Sequence, residues 1–124
     1  MHSRLAESMA LKSVSKFRLG AVLAKRSKVI STGYNQMRKT HPIMKKHSET
    51  EGFELGLHAE VHACIGVSAA DLHGAEVWVA RVYRNGNLAM ARPCAVCQKF
   101  LRSVGVTRVH YSTGFGYFAV MEIR

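Results

Sequence analysis

A chain of 124 residues, 48% of them apolar, is long enough to bury a core as one domain over 1–124, and no apolar run in it approaches the length of a membrane span. The opening run MHSRLAESMALK lacks the apolar centre of a secretory signal, so a cytoplasmic setting is expected. The net charge of +10 is lopsided: residues up to Lys46 hold eleven of the eighteen Lys and Arg and a single acid, Glu7, which suits a phosphate-bearing partner and equally suits a solvated basic face.

In chain order, Leu5 to Phe17 reads as an amphipathic helix, with Ala6, Ala10, Val14 and Phe17 at i+3 and i+4 steps. Gly20–Ala24 is a short apolar run expected to form a buried strand, and Lys28–Asn35 its hairpin partner across a turn at Lys25-Arg26-Ser27. The stretch 36–56 is polar, basic and aperiodic, broken by Pro42 and Gly52, and reads as a loop or insertion. A helix is expected from Leu57-His58 to Ala69, a central strand over Glu76–Val82, and a turn at Arg84–Asn87. Pro93 suits the first position of a helix that Gly105 ends. Arg108–Ser112 and Phe115–Ile123 are the last two strands. The order α-β-β-α-β-α-β-β implies an α/β, three-layer α-β-α architecture around a five-stranded mixed sheet. The link Ser112-Thr113-Gly114 is too short for a crossover, so the last two strands should run antiparallel.

The chemistry concentrates in His58-Ala59-Glu60 and, after a thirty-odd-residue gap, Pro93-Cys94-Ala95-Val96-Cys97. An imidazole and two thiolates suit zinc, one per chain, and leave a fourth tetrahedral position open. Cys94 and Cys97 are three apart and share a helix face, so both reach one metal. Glu60 is two residues from His58 and off its face, which makes it a better proton carrier than a fourth ligand. Each half opens a helix, where partial positive charge favours thiolates and oxyanions. A closed structural zinc knuckle beside an incidental Glu is the plainer alternative. The odd third cysteine, Cys64, reads as a core thiol rather than part of a disulfide framework.

With these residues in the order Gly20-Ala21-Val22-Leu23, Gly33-Tyr34-Asn35, His58-Ala59-Glu60, Pro93-Cys94-x-x-Cys97, the chain resembles the cytidine/deoxycytidylate deaminase superfamily over nearly its full length. The resemblance implies a cytidine deaminase-like fold, zinc on His58, Cys94 and Cys97, proton transfer by Glu60, a base carbonyl held by the N–H of Ala59, and a sugar hydroxyl met by Asn35. It also implies a homo-oligomer. Arg92, before the Pro, meets phosphate or faces solvent. Within 36–56, Arg38, Lys39, His41, Lys45, Lys46 and His47 are the basic groups, and His41, His47 and Glu49 could imitate a second metal site, though without a cysteine.

Several other residues carry two readings. His62, at i+4 from His58, is either near the pocket or a partner on the helix flank, the reading preferred here. Trp78 and Tyr34 can stack on a base, but a central strand favours core packing for Trp78. Phe115, Tyr117 and Phe118 fit a pocket, a subunit contact or a half-buried strand. The antiparallel ending resembles the free-nucleoside deaminases, whereas polynucleotide relatives place a helix there. The expected function is therefore hydrolytic deamination of cytosine in a free nucleoside or nucleotide. Deamination of single-stranded DNA or RNA is the alternative, and a non-catalytic zinc or nucleic-acid module ranks third.

Overall fold

The computed structural model describes residues 2–14, 17–36 and 58–123. Its elements are α1 (His2–Ala10), β1 (Arg18–Lys25), β2 (Lys28–Tyr34), α2 (Ala59–Cys64), α3 (Ala69–Leu72), β3 (Glu76–Val82), β4 (Leu88–Ala89), α4 (Ala95–Val104), β5 (Arg108–Ser112) and β6 (Phe118–Glu122). The sheet order is β2-β1-β3-β5-β6, with β4 attached to β3. Among the described residues only β3 and β5 are parallel; β5 and β6 pair antiparallel, as the short link between them requires. Most of the expectations falling on 36–56, including Arg38, Lys39, His41, Lys45, Lys46, His47 and Glu49, lie outside the described residues.

Alternation along the strands gives the sheet two dry faces. Ala21, Leu23, Val77, Val79 and Val109 join Ala59, Val61, Val96, Cys97 and Leu101 in the main core, under α2 and α4. Val22 and Ala80 form a smaller cluster with Ala6 of α1 on the opposite face, flanked by Trp78 and Phe118. The three-layer expectation therefore holds, with α1 on one side and α2 and α4 on the other.

Two glycines let the helices come this close. A Cβ on Gly20 would lie 2.2 Å from the Ala10 nitrogen and the Ala6 oxygen of α1. One on Gly33 would lie 2.5 Å from the Ala63 nitrogen and 2.7 Å from the Ala59 oxygen of α2. Backbone cannot yield as a side-chain tip can, so each helix rests on bare sheet at a glycine.

Several elements differ from the sequence reading. The first helix stops at Ala10 rather than Phe17, leaving Val14 and Phe17 exposed. The chain turns at Leu11-Lys12, and the Ser13 hydroxyl donates to the Asn35 carbonyl at 3.0 Å, which leads it into β1. The second helix ends at Cys64, because Gly66 takes a positive φ of 79°, and a separate short turn, α3, starts after the Ser68 cap. Pro93 precedes the N-cap Cys94 instead of opening α4. The last strand begins at Phe118, since residues 113–117 form a turn closed by Thr113 N–H and hydroxyl bonds to the Tyr117 carbonyl. Finally, β4 adds a sixth, two-residue strand. It continues the ladder where β5 stops, and the Ser112 hydroxyl joins the three strands, accepting from Arg81 N–H at 3.0 Å and donating to the Ala89 carbonyl at 2.7 Å.

The helix–glycine contacts are tested by Gly33→Ala and Gly20→Ala. Each should lower stability by about 1–3 kcal/mol or more through overpacking. Gly114→Ala, with open space around the new methyl, should stay within about 0.5 kcal/mol of the parent. Urea midpoints measure all three; equal midpoints would remove the close-approach account.

Candidate metal centre

His58 and Cys94 occupy equivalent places, each the N-cap of a helix in extended backbone conformation, and neither side chain caps its own helix. Both are thereby free to turn toward each other across the gap between α2 and α4. Cys97 follows in the first turn of α4. Ala91 N–H donates to the Ser112 carbonyl at 2.9 Å and Gln98 Nε2 to the Pro93 carbonyl at 2.8 Å, which fixes the approach to Cys94.

The His58 Nδ1 lies 3.2 Å from the Cys97 Sγ and 3.6 Å from the Cys94 Sγ. All three donor atoms fall within 4.8 Å of one another. Tetrahedral zinc with ordinary Zn–N and Zn–S bonds holds its ligands roughly 3.6–3.8 Å apart. The three donors thus fit one zinc ion with a position left over, and they are the one such group among the described residues.

Proton placement in the metal-free cluster follows from these contacts. The Cys94 thiol is brought down to about 4, chiefly by the hydrogen bond from Cys97 and, after the opposing cost of burial, by that from His58. The Cys97 thiol is pushed well above its usual 9, because it serves as that donor and because it is buried. His58 is raised above 6.5, first by its bond to Cys94 and then by the charge of Glu60, against its burial. One thiolate therefore sits among protonated neighbours.

Glu60, 3% exposed, is the only buried acid among the described residues. Burial raises its carboxyl above the usual range, opposed by the charge of His58 and a hydrogen bond from Cys97. The carboxyl thus adjoins the donor group without belonging to it. Such a group, held near its neutral form beside a metal position, can exchange protons there.

The other sequence-selected residues divide clearly. Ala59 is the first helical residue of α2, buried, with an N–H that the helix itself does not use. Asn35 is buried and braces the start of β1: its Oδ1 accepts from Leu19 N–H at 2.9 Å and its Nδ2 donates to the Phe17 carbonyl at 2.6 Å. Arg92 is exposed. His62 is a flank partner, its Nδ1 accepting from Tyr34 N–H at 3.0 Å while its ring meets the Tyr34 ring edge-on. Trp78 lies on the α1 face, away from the metal donors, stacked on His110 at 3.8 Å. Phe115 and Tyr117 are exposed at the β5–β6 turn and stack on each other at 6.5 Å. The buried Cys64 thiol is pushed up to about 12, by burial first, as an inert core thiol would be.

Sequence reasoning missed Arg81. Its guanidinium stands 4.4 Å over the Phe17 ring and 5.8 Å from that of Tyr83. The available signal was a lone cation inside an otherwise apolar strand end.

The family model for the cytidine and deoxycytidylate deaminase zinc-binding region matches residues 1–113. No match was found among curated protein sequences. Among solved structures, the cytidine deaminase from Burkholderia pseudomallei superposes with a TM-score of 0.67 at 19% identity, covering 98% of this chain and 90% of that one. The dCMP deaminase from the cyanophage S-TIM5 gives 0.61 at 21% identity, over 89% and 78%. The cytidine deaminase from Mycobacterium leprae gives 0.56 at 21%, over 98% and 89%. These likenesses establish the fold.

Elemental analysis should find one zinc per chain. Cys94→Ser and Cys97→Ser should each weaken binding by more than the about 10–100-fold typical of changes behind a ligand. Since Cys97 and His58 hold their protons above the ordinary values and Cys94 does not, binding near neutral pH should release protons from the first two. Affinity should therefore fall as pH falls. Calorimetry in buffers of different ionisation heat measures the release; none at pH 7 would contradict the proton placement.

Proposed function

This chain belongs to the cytidine and deoxycytidylate deaminase zinc-binding family, and on that footing we propose that it hydrolyses the exocyclic amine of cytosine in a free nucleoside or nucleotide. Water adds at the amine-bearing ring carbon, the carbon–nitrogen bond breaks, and the products are the uracil form and ammonia. The observation that carries this reading is Glu60, a buried carboxyl in contact with a three-donor metal group between two helix starts.

His58, Cys94 and Cys97 would hold a zinc ion, which would supply Lewis acidity there. Glu60 takes one proton from the attacking water and delivers it to the ring nitrogen, then carries a second, from the hydroxyl newly added at the ring carbon, to the departing amine. Its raised carboxyl value suits both directions of transfer. The Ala59 N–H holds the base carbonyl. Asn35, with one lone pair and one N–H beyond its two backbone bonds, meets a sugar hydroxyl, and Arg92 lies on the outer approach.

The choice of a small substrate is supported by the β5–β6 hairpin, the ending expected of free-nucleoside deaminases. It is also supported by a structural neighbour, the cyanophage S-TIM5 dCMP deaminase, seen in complex with dCMP and dUMP. Free thiols at the metal donors suit a reducing, cytoplasmic compartment. Among the described residues no helix is long and apolar enough to cross a membrane. A single domain over 1–124 and a homo-oligomeric assembly complete the proposal.

Zinc-loaded protein should release ammonia from at least one of cytidine, deoxycytidine and their monophosphates. Glu60→Gln should lose about 10²–10⁴-fold in kcat/KM while keeping its zinc. Undiminished activity in that variant would remove Glu60 from the mechanism. Turnover of single-stranded oligonucleotides alone would replace the small-molecule reading.

A further inference from the structure

Among the cations on the described strands, Arg81 is set apart by its surroundings. Arg108 spends its charge on Glu76 and Glu122, each at 3.6 Å, and Lys25 donates to the Ala70 carbonyl at 2.7 Å. Arg81 is half-buried, and among the described residues its guanidinium meets neither a carboxylate nor a hydrogen-bond acceptor. Instead, aromatic rings cover its face: Phe17 at 4.4 Å and Tyr83 at 5.8 Å. Stacking uses the flat face of a guanidinium and leaves its in-plane N–H groups pointing outward, the fork that matches a phosphate. A planar cation that is partly desolvated, held in place and, among the described residues, without an acid suits a phosphate.

Its position ties it to the metal centre. Val77 and Val79 share the main core with Ala59 and Cys97, so by strand alternation Arg81 projects on that same face. It stands one side-chain step, about 7 Å, beyond Val79, toward the strand end from which the chain returns to Cys94. Its ladder partners agree: Leu19 on one side, packed against the main core, and Ala89 on the other, five residues before Cys94. The brace from Asn35 to the Phe17 carbonyl fixes the segment that carries the stacking ring. Asn35 thus links the end of β2 to the Arg81 cradle.

We propose that Arg81, set over the ring of Phe17 and beside that of Tyr83, binds the 5′-phosphate of the substrate, so that the enzyme acts on a cytosine mononucleotide in preference to the free nucleoside. This rests on the deaminase reading above and sharpens its substrate class.

The test compares kcat/KM for deoxycytidine and cytidine with that for their 5′-monophosphates, on zinc-loaded protein. The parent should favour the monophosphates by about 10–100-fold, the scale of a charge-assisted contact. Arg81→Met should cut the monophosphate value by most of that factor and the nucleoside value much less. Arg81→Lys, which keeps the charge and loses the fork, should fall between. Tyr83→Ala, at an exposed ring, should raise KM for the monophosphate more than for the nucleoside. Zinc content and melting temperature are read for each variant, and Arg26→Gln, in the β1–β2 turn at the far end of the sheet, controls for net charge.

Equal losses on both substrate kinds in Arg81→Met, or the same change of ratio in Arg26→Gln, would overturn the proposal. So would a parent that turns over only oligonucleotides. A second readout needs no turnover: dUMP should bind the parent more tightly than deoxyuridine, and Arg81→Met should abolish the difference. If no cytosine compound is deaminated yet that binding difference appears and depends on Arg81, the deaminase reading fails and the phosphate site stands. If cytosine compounds are deaminated and no difference appears, the reverse holds.

Discussion

The seating of α2 on Gly33 is the contact from which the rest of the metal centre takes its position. With a hydrogen in place of a side chain, the backbone of Ala59 and Ala63 lies directly on β2. His58 and Glu60 are then delivered at a fixed height above the sheet, one on each side of a buried Ala59. Any larger residue at 33 would lift the helix and carry imidazole and carboxyl away from the thiols of α4 together. Gly20 does the same for α1 on the opposite face, where the Ala6 and Ala10 backbone meets β1. The sheet is thus pinned between two helix backbones, and the pinning needs the same residue type twice, once per face.

Topology explains why both halves of the centre meet at one end. The strands β3 and β5 are parallel, and each is preceded by a helical connection on the main-core side. A helix that leads back to the start of a strand begins near the strand ends opposite that start. The N-termini of α2 and α4 therefore face the same carboxyl end of the sheet, where two N-caps, His58 and Cys94, can meet. The partial positive charge of both helix starts falls on a cluster that holds one thiolate and a buried carboxyl. The hydrogen bond between the two thiols, and then burial, decide the division of labour. Cys94, the least buried thiol, carries the negative charge, while Cys97 and Glu60, deeper, are held toward their neutral forms.

Much of this was legible in the chain itself. Strands over Glu76–Val82 and Arg108–Ser112, the opening hairpin and the antiparallel ending all follow from apolar runs and link lengths. The C-x-x-C step and the two-residue offset of Glu60 from His58 also anticipate the observed grouping. What escaped the sequence depended on partners distant in the chain. The i+3 and i+4 pattern that runs on to Phe17 does not extend α1, because Ser13 bonds to Asn35, twenty-two residues away. The lone two-residue β4 exists because Ser112 and the end of β3 offer it bonds that its own composition does not advertise. Trp78 could be placed in a central strand but not on a particular face, and the face decides that it stacks on His110 rather than on a base.

The misjudged end of α1 has the largest consequence for function. As a helical residue, Phe17 would be one more apolar position facing the sheet. Released from the helix, it becomes the first residue before β1, on the same side as Leu19 and Ala21, and its ring comes under Arg81. The same Asn35 amide that fixes the Phe17 carbonyl also accepts from Leu19 N–H, so one buried side chain sets both the strand entry and the stacking ring. In the proposed reaction the metal donors set which bond is broken and the proposed Arg81 contact sets what else a substrate carries. The geometry around Arg81 is assembled from the residue before β1, the residue after β2 and the end of β3, three places that no single stretch of sequence brings together.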